Sequence, residues 1–197
     1  MPIKKDFAGI LPGSINYIDH INSKNPTIIQ IGSHDGIIGE EYGLQEFLEK
    51  IKNFKLILVE PLNPYFDNLK KVYGKYKNQI IYCNYAISDV DGQVTMTKKD
   101  ACSFINNLGD IKVNSKSWSS FINDVCVDQI DLLLLDCEGY EYNIIKQINF
   151  EKIKPKVIRY EYAHIENKNE CDNFLKLKGY KINFCFHDHT FNKVAIL

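Results

Sequence analysis

Short runs of apolar residues alternate along the chain with stretches whose apolar positions recur every three or four residues. That alternation predicts a mostly parallel sheet wrapped by helices. Thr27 to Ile31 is the first such run, and it ends in Gly32-Ser33-His34-Asp35-Gly36. Leu44, Phe47, Leu48 and Ile51 share one face of a helix expected near 41–51. Lys55 to Val59 predicts a second strand, closed by Glu60-Pro61. Asn63 then reads as an N-cap with Pro64 at the first helical position, in a helix that stops at Gly74. A third strand is expected from Gln79 to Cys83. Asp91-Gly92 ahead of Gln93 to Met96 reads as a hairpin-like insert, and 97–115 shows no period and reads as loop. Trp118, Phe121 and Ile122 suggest a short helix. Ile130 to Leu135 is the most apolar strand, as expected at the centre of a parallel sheet, and it ends in Asp136-Cys137-Glu138-Gly139. Tyr140, Ile144 and Ile148 mark the next helix, Lys156 to Glu161 a fifth strand, and Phe174, Leu175 and Leu177 a helix stopped near Gly179. The runs 180–186 and 192–197 fit a hairpin pair at the sheet edge.

Composition narrows this picture. A chain of 197 residues with 45% apolar content fits one domain with a sizeable core, read as a 27–197 core after a lead-in over 1–25. The 24 basic residues are balanced by 25 acidic ones, which argues against a nucleic-acid partner held by phosphate neutralisation. The longest apolar stretch is strand-sized, and Pro12 and Gly13 interrupt the start, so neither a membrane segment nor an export signal is expected and the cytoplasm is the default compartment. Six cysteines without a Cys-x-x-Cys pair read as reduced, buried thiols. Cys185, His187 and His189 alternate at the expected final turn and are read as ordinary turn residues rather than as a zinc site.

Candidate chemistry gathers at strand ends, which is where open α/β sheets bind ligands. Gly32 and Gly36 stand four apart at a strand-to-helix turn, and glycine there lets a backbone approach a ligand closely. The turn lacks the third glycine of a dinucleotide fingerprint and carries an acid. It therefore suits a ligand with a positive end, such as the amino and sulfonium groups of S-adenosylmethionine. Glu60 ends the next strand, where a carboxylate can accept hydrogen bonds from ribose hydroxyls. Asn84 to Ser88 offers an amide, a small residue and a hydroxyl that could line an adenine pocket. Acids at 136, 138 and 141 exceed what capping a helix requires.

Ile29 to Gly36, Leu58-Val59-Glu60-Pro61, Ala86-Ile87-Ser88-Asp89 and Ile130 to Glu141 resemble, in order and spacing, the successive motifs of FkbM-type methyltransferases. The resemblance spans about residues 27 to 165. It implies a Rossmann-like class I methyltransferase fold, with a seven-stranded mostly parallel sheet, an antiparallel C-terminal strand and helices on both faces. It also implies an S-adenosylmethionine cofactor and usually O-methylation, often of sugars or other hydroxylated metabolites. By position, Gln30, Gly32, Ser33, Asp35 and Gly36 would hold the amino-acid part of the cofactor and Glu60 the ribose. Asn84, Ala86 and Ile87 would lie on the adenine side, and Asp136 and Glu138 would face the methyl donor and acceptor. The chain departs from many relatives at Gln30, where they carry an acid, and at Ser33-His34, where they carry a small aliphatic residue and Asn.

A hydroxyl acceptor needs a base within hydrogen-bond reach. The candidates are Asp136, Glu138, Glu161 and His164, with His34 as a further one. Asp136 and Glu161 also offer hard oxygen ligands of the kind magnesium (Mg2+) takes. Two other readings stay open. One is a nicotinamide-dependent oxidoreductase, which Glu60 would serve equally well; the other is a methyltransferase-like binding subunit without turnover.

Overall fold

The apolar runs become strands stacked in parallel because their residues are buried on both faces. The computed structural model describes residues 14–37, 43–76, 78–99, 102–106, 108–185 and 191–197. In chain order, β1 (Thr27–Ile31), α1 (Leu44–Lys50), β2 (Lys55–Val59), α2 (Asn63–Val72) and β3 (Ile80–Cys83) build the first half. A second group follows: β4 (Ala86–Ser88), β5 (Gly92–Lys99), β6 (Cys102–Ile105) and β7 (Ile111–Ser117). The chain then runs through α3 (Trp118–Val125), β8 (Leu132–Leu135), α4 (Glu141–Gln147), β9 (Val157–Glu161), α5 (Lys168–Leu177), β10 (Lys181–Phe184) and β11 (Asn192–Ile196).

The main sheet has seven strands in the order β10-β11-β9-β8-β1-β2-β3. Its pairs are parallel except those of β11, which runs antiparallel to both β9 and β10. β8 stands at the centre, as its unbroken leucine run predicts. Side chains alternate between two cores. Ile29, Ile31, Ile57, Val59, Leu133 and Leu135 face α3, α4 and α5, while Ile28, Leu56, Leu58, Leu132 and Leu134 face α1 and α2. Helices thus cover both faces. Among the described residues, no helix is long and apolar enough to cross a membrane.

Four expectations need correction. Residues 97–115 are not loop: β5 continues to Lys99, and β6 and β7 complete a four-stranded sheet in the order β4-β7-β5-β6. Asp91-Gly92 does not join a hairpin, because β7 lies between β4 and β5, parallel to the one and antiparallel to the other. Asp91 instead accepts hydrogen bonds from Ser117 N (2.7 Å) and Ser120 Oγ (2.6 Å) at the start of α3. Leu62, not Asn63, is the N-cap of α2; the N–H of Leu62 donates to Glu60 Oε1 at 2.9 Å, so a strand-end carboxylate does what a capping side chain would. Cys126 is exposed, whereas Cys83, Cys171 and Cys185 are buried.

The helix expected from 41 is described from Leu44, and His187 and His189 lie outside the described residues. The lead-in is packed where it is described. Tyr17 is fully buried in the α1–α2 core, and Ile15 bridges to Cys185 beside β10.

Candidate active site

The sheet order reverses between β1 and β8. From β1 the chain moves outward to β2 and β3, then returns through the small sheet to the other side of β1. The carboxyl ends of these two strands meet tightly. Asp136 N donates to Ile31 O (3.0 Å) between them, and on the other side of β1 Gly32 N donates to Val59 O at the end of β2 (3.1 Å). A Cβ on Gly32 would lie 1.8 Å from the Asp136 carbonyl oxygen, and Gly32 has φ +84°, so the glycine answers both a close backbone approach and a left-handed conformation.

Above this crossing lies a cleft of about 900 Å³, measured out to its open mouth. Its floor is Ile31, Gly32, His34 and Glu60; one end is polar, with Asp136, Glu138 and Tyr140. The other end is mostly apolar, with Leu62, Ala86, Ile87, Met96 and Ile105, and carries Ser103 as well. Met96 and Ile105 come from the small sheet, whose inner face packs on Leu62 and Tyr65 and walls the cleft.

Glu60 is buried, and both of its oxygens serve the local backbone: Oε1 accepts from Leu62 N and Oε2 from His34 N at 2.9 Å. Burial outweighs those two bonds and raises its carboxyl to about 7. Asn84 Nδ2 donates to the carbonyls of Glu60 (3.0 Å) and Pro61 (3.2 Å), so it shapes the turn from behind.

The turn after β8 is held from within. Glu141 is fully buried and accepts from Cys137 N (2.5 Å) and Gly139 N (3.0 Å), while burial raises its carboxyl to about 8. Glu138 adopts a left-handed φ of +53°, uncommon outside glycine, and this turns its carboxylate toward His164. His164 Nδ1 lies 2.9 Å from Glu138 Oε2 and 3.2 Å from Glu161 Oε2, with His164 half exposed and Glu161 buried. Burial and the nearby Asp136 and Glu138 carboxylates raise Glu161 as well. The same region brings Asp136, Glu141 and Glu161 ligand atoms within 4.8 Å of one another.

Of the expected cofactor residues, Gly32, Glu60, Ala86, Ile87 and Asp136 line the cleft. Gln30 and Ser33 are buried beneath it, and Ser33 Oγ donates to Gln30 O at 3.1 Å. Asp35 accepts from Ile37 N at 2.8 Å, and Gly36 faces Leu69 and Tyr73 of the neighbouring helix. Of the expected catalytic residues, Asp136 and Glu138 line the cleft, and Glu161 and His164 join them through the Glu138–His164 contact. Sequence reasoning gave no place to Tyr65, Met96 and Ile105, which come from segments with no chemical motif. The strand alternation of Val94 and Met96 against Ile111 and Val113 was the available signal for the small sheet.

The raised carboxyls give a stability prediction. Glu60, Glu141 and Glu161 keep protons in the folded state that the unfolded chain releases near the ordinary 4.5. Their contribution is therefore full below about 4.5 and is lost as pH rises toward about 8. Asp91 and Glu46, which are lowered, finish titrating below that window. Thermal melts should show a Tm several degrees higher at pH 5 than at pH 8.5. A Tm that is flat or rising across that interval contradicts the assignment.

The Methyltransferase FkbM domain family model matches residues 30–182. Among curated proteins no sequence matches the chain. Solved structures share the fold at low identity. A methyltransferase FkbM from Methylobacillus flagellatus KT superposes with a TM-score of 0.59 at 14% identity, over 94% of this chain and 48% of that one. This chain thus spans about half the length of that protein. The fibrillarin pre-rRNA processing protein of Methanococcus jannaschii gives 0.56 at 14% identity, over 95% of this chain and 70% of that one. The ribosomal protein L11 methylase of Lactobacillus delbrueckii subsp. bulgaricus gives 0.52 at 11% identity, over 92% and 74%.

Proposed function

We infer, for a chain that belongs to the FkbM methyltransferase family, that it binds S-adenosylmethionine in the cleft and methylates a hydroxyl oxygen of a sugar or other small metabolite. The observation that carries this reading is the cleft itself. At the reversal of the sheet it combines a backbone-close glycine, a buried strand-end carboxylate and a mostly apolar far end. These features fit an adenosyl group with a positively charged tail. Ala86, Ile87, Met96 and Ile105 would take the base, Glu60 the ribose hydroxyls, and the turn of Gly32 with Asp136 the charged end. When bound, S-adenosylmethionine supplies a methyl group on a sulfonium, ready for in-line displacement.

The chain's own task is then to align the acceptor, exclude water and take its proton. Glu138 and Glu161 both face Nδ1 of His164, which favours the tautomer with its proton there and leaves Nε2 to accept. On this reading His164 is the base, Glu138 and Glu161 orient it, and Asp136 lies at the methyl end. A divalent cation, if the reaction uses one, would take Asp136 and Glu161, because both Glu141 oxygens are bonded to backbone N–H groups.

The test is transfer of labelled methyl from S-adenosylmethionine to a panel of mono- and disaccharides and small polyols, with and without chelator. An O-methyl ether product formed together with S-adenosylhomocysteine is expected. Cofactor binding with no transfer to any acceptor would point to a binding subunit instead. His164→Ala should lower the rate by about 10²–10⁴-fold with S-adenosylhomocysteine affinity unchanged. An unchanged rate removes His164 as the base.

A further inference from the structure

His34 brings an imidazole into the cleft, and no described residue hydrogen-bonds it. The ring lines the cleft beside Glu60, and both ring nitrogens are buried without a hydrogen-bond partner among the described residues. Nδ1 comes within 3.3 Å of Asp35 Oδ1, outside hydrogen-bond geometry. The ring is stacked on Tyr65, with centroids 3.7 Å apart and planes 29° from parallel. Its backbone has φ +49°, a left-handed conformation in which His and Asn are enriched among non-glycine residues. Glu60 fixes that conformation by accepting the His34 N–H at 2.9 Å. A buried polar edge with no partner and an uncommon backbone both cost free energy, and the two coincide at a ligand-facing position.

We propose that His34, stacked on Tyr65, is a binding residue of the nucleoside pocket, with a ring nitrogen hydrogen-bonding a ribose hydroxyl of the bound S-adenosyl compound. This rests on the reading that the cleft holds that cofactor. The ribose is the partner because Glu60, the acid assigned to it, is the group that holds His34 in place. The base end is mostly apolar, formed by Ala86, Ile87, Met96 and Ile105 with the Ser103 hydroxyl beside them. A neutral imidazole offers one donor and one acceptor, and a hydroxyl can answer either, so both tautomers are satisfied. Tyr65 orients the ring, making His34 and Glu60 one unit rather than two independent contacts.

The experiment is calorimetric titration with S-adenosylhomocysteine and its 2′-deoxy and 3′-deoxy analogues, on the unaltered protein and on His34→Asn. Asn tolerates the left-handed backbone and removes the imidazole. The variant should bind S-adenosylhomocysteine about tenfold more weakly, as expected for one hydrogen bond in a buried site. The penalty for losing one ribose hydroxyl should be smaller in the variant than in the unaltered protein. As a check that needs no variant, the imidazole nitrogen resonances of His34 should shift when S-adenosylhomocysteine is added to the unaltered protein. Equal affinity in His34→Asn, with the deoxy penalties intact and the nitrogen resonances unmoved, overturns the His34 assignment and leaves the cofactor reading standing. Failure of the unaltered protein to bind S-adenosylhomocysteine overturns the cofactor reading and this assignment with it.

Discussion

Glu60→Ala is expected to abolish measurable S-adenosylhomocysteine binding while leaving the main sheet folded. The carboxylate is buried at the end of β2, on the cleft floor. At pH 8.5, above the value of about 7 to which burial raises this carboxyl, two hydrogen bonds from ribose hydroxyls to the ionised acceptor contribute about 1.5–3 kcal/mol each, so their loss weakens binding by about 10²–10⁴-fold. The change also releases two backbone donors, His34 N and Leu62 N. It therefore frees the His34 ring and the start of α2 together. Glu60→Gln keeps one acceptor and shape, and should retain weak binding. Glu49→Ala, which removes an exposed acid paired with Lys75, should bind as the unaltered protein does. Calorimetry on the three variants reads this directly. Equal affinity in Glu60→Ala would place the ribose elsewhere.

Gly32→Ala should be the most damaging single methyl group in the chain. Its Cβ would fall 1.8 Å from the Asp136 carbonyl oxygen, which belongs to backbone and cannot rotate away. The residue also holds φ +84°, which alanine adopts only with strain. Overpacking costs about 1–3 kcal/mol and the left-handed backbone about 1–2 more. For a chain of this size that is a fall in Tm of roughly 10 °C. To relieve the clash, the ends of β1 and β8 must separate, loosening the Asp136 N to Ile31 O bond that shapes the cleft. Gly74→Ala is the matched control: nothing lies within 4 Å of its added Cβ. Thermal melts of the two variants should differ by most of the predicted fall. Similar melting would mean that the strand crossing is looser than described.

Both predictions concern positions that were legible in the sequence, and the reason is physical. β1, β2, β8 and β9 are buried on both faces, so β2 and β8 are written as unbroken apolar runs and β1 and β9 as runs interrupted once, by Gln30 and Arg159, each ending in polar residues. The ends of such runs are where a parallel sheet presents its ligands. The small sheet was hidden because only one of its faces is buried. β7 alternates Ile111, Val113 and Ser115 with Lys112, Asn114 and Lys116, and two apolar side chains in seven residues do not stand out from a loop. Its inner face is completed by Leu62 and Tyr65, which come from another part of the chain.

The glycine turn was located but its side chains were dealt out differently. Ser33 turns inward onto Gln30 and Gly36 onto α2, while His34 takes the cleft. That choice follows from φ at His34, which the residue type hints at but does not determine. The Glu138–His164–Glu161 group joins two strand ends, and their proximity follows from β8 and β9 being neighbours in the sheet.

The central claim is that the cleft is built for an S-adenosyl nucleoside, and titration of the unaltered protein with S-adenosylhomocysteine beside NAD tests it most directly. Saturable heat with S-adenosylhomocysteine and none with NAD is the predicted result. Binding of NAD, or no binding of S-adenosylhomocysteine, would contradict the account and leave the fold without its proposed cofactor.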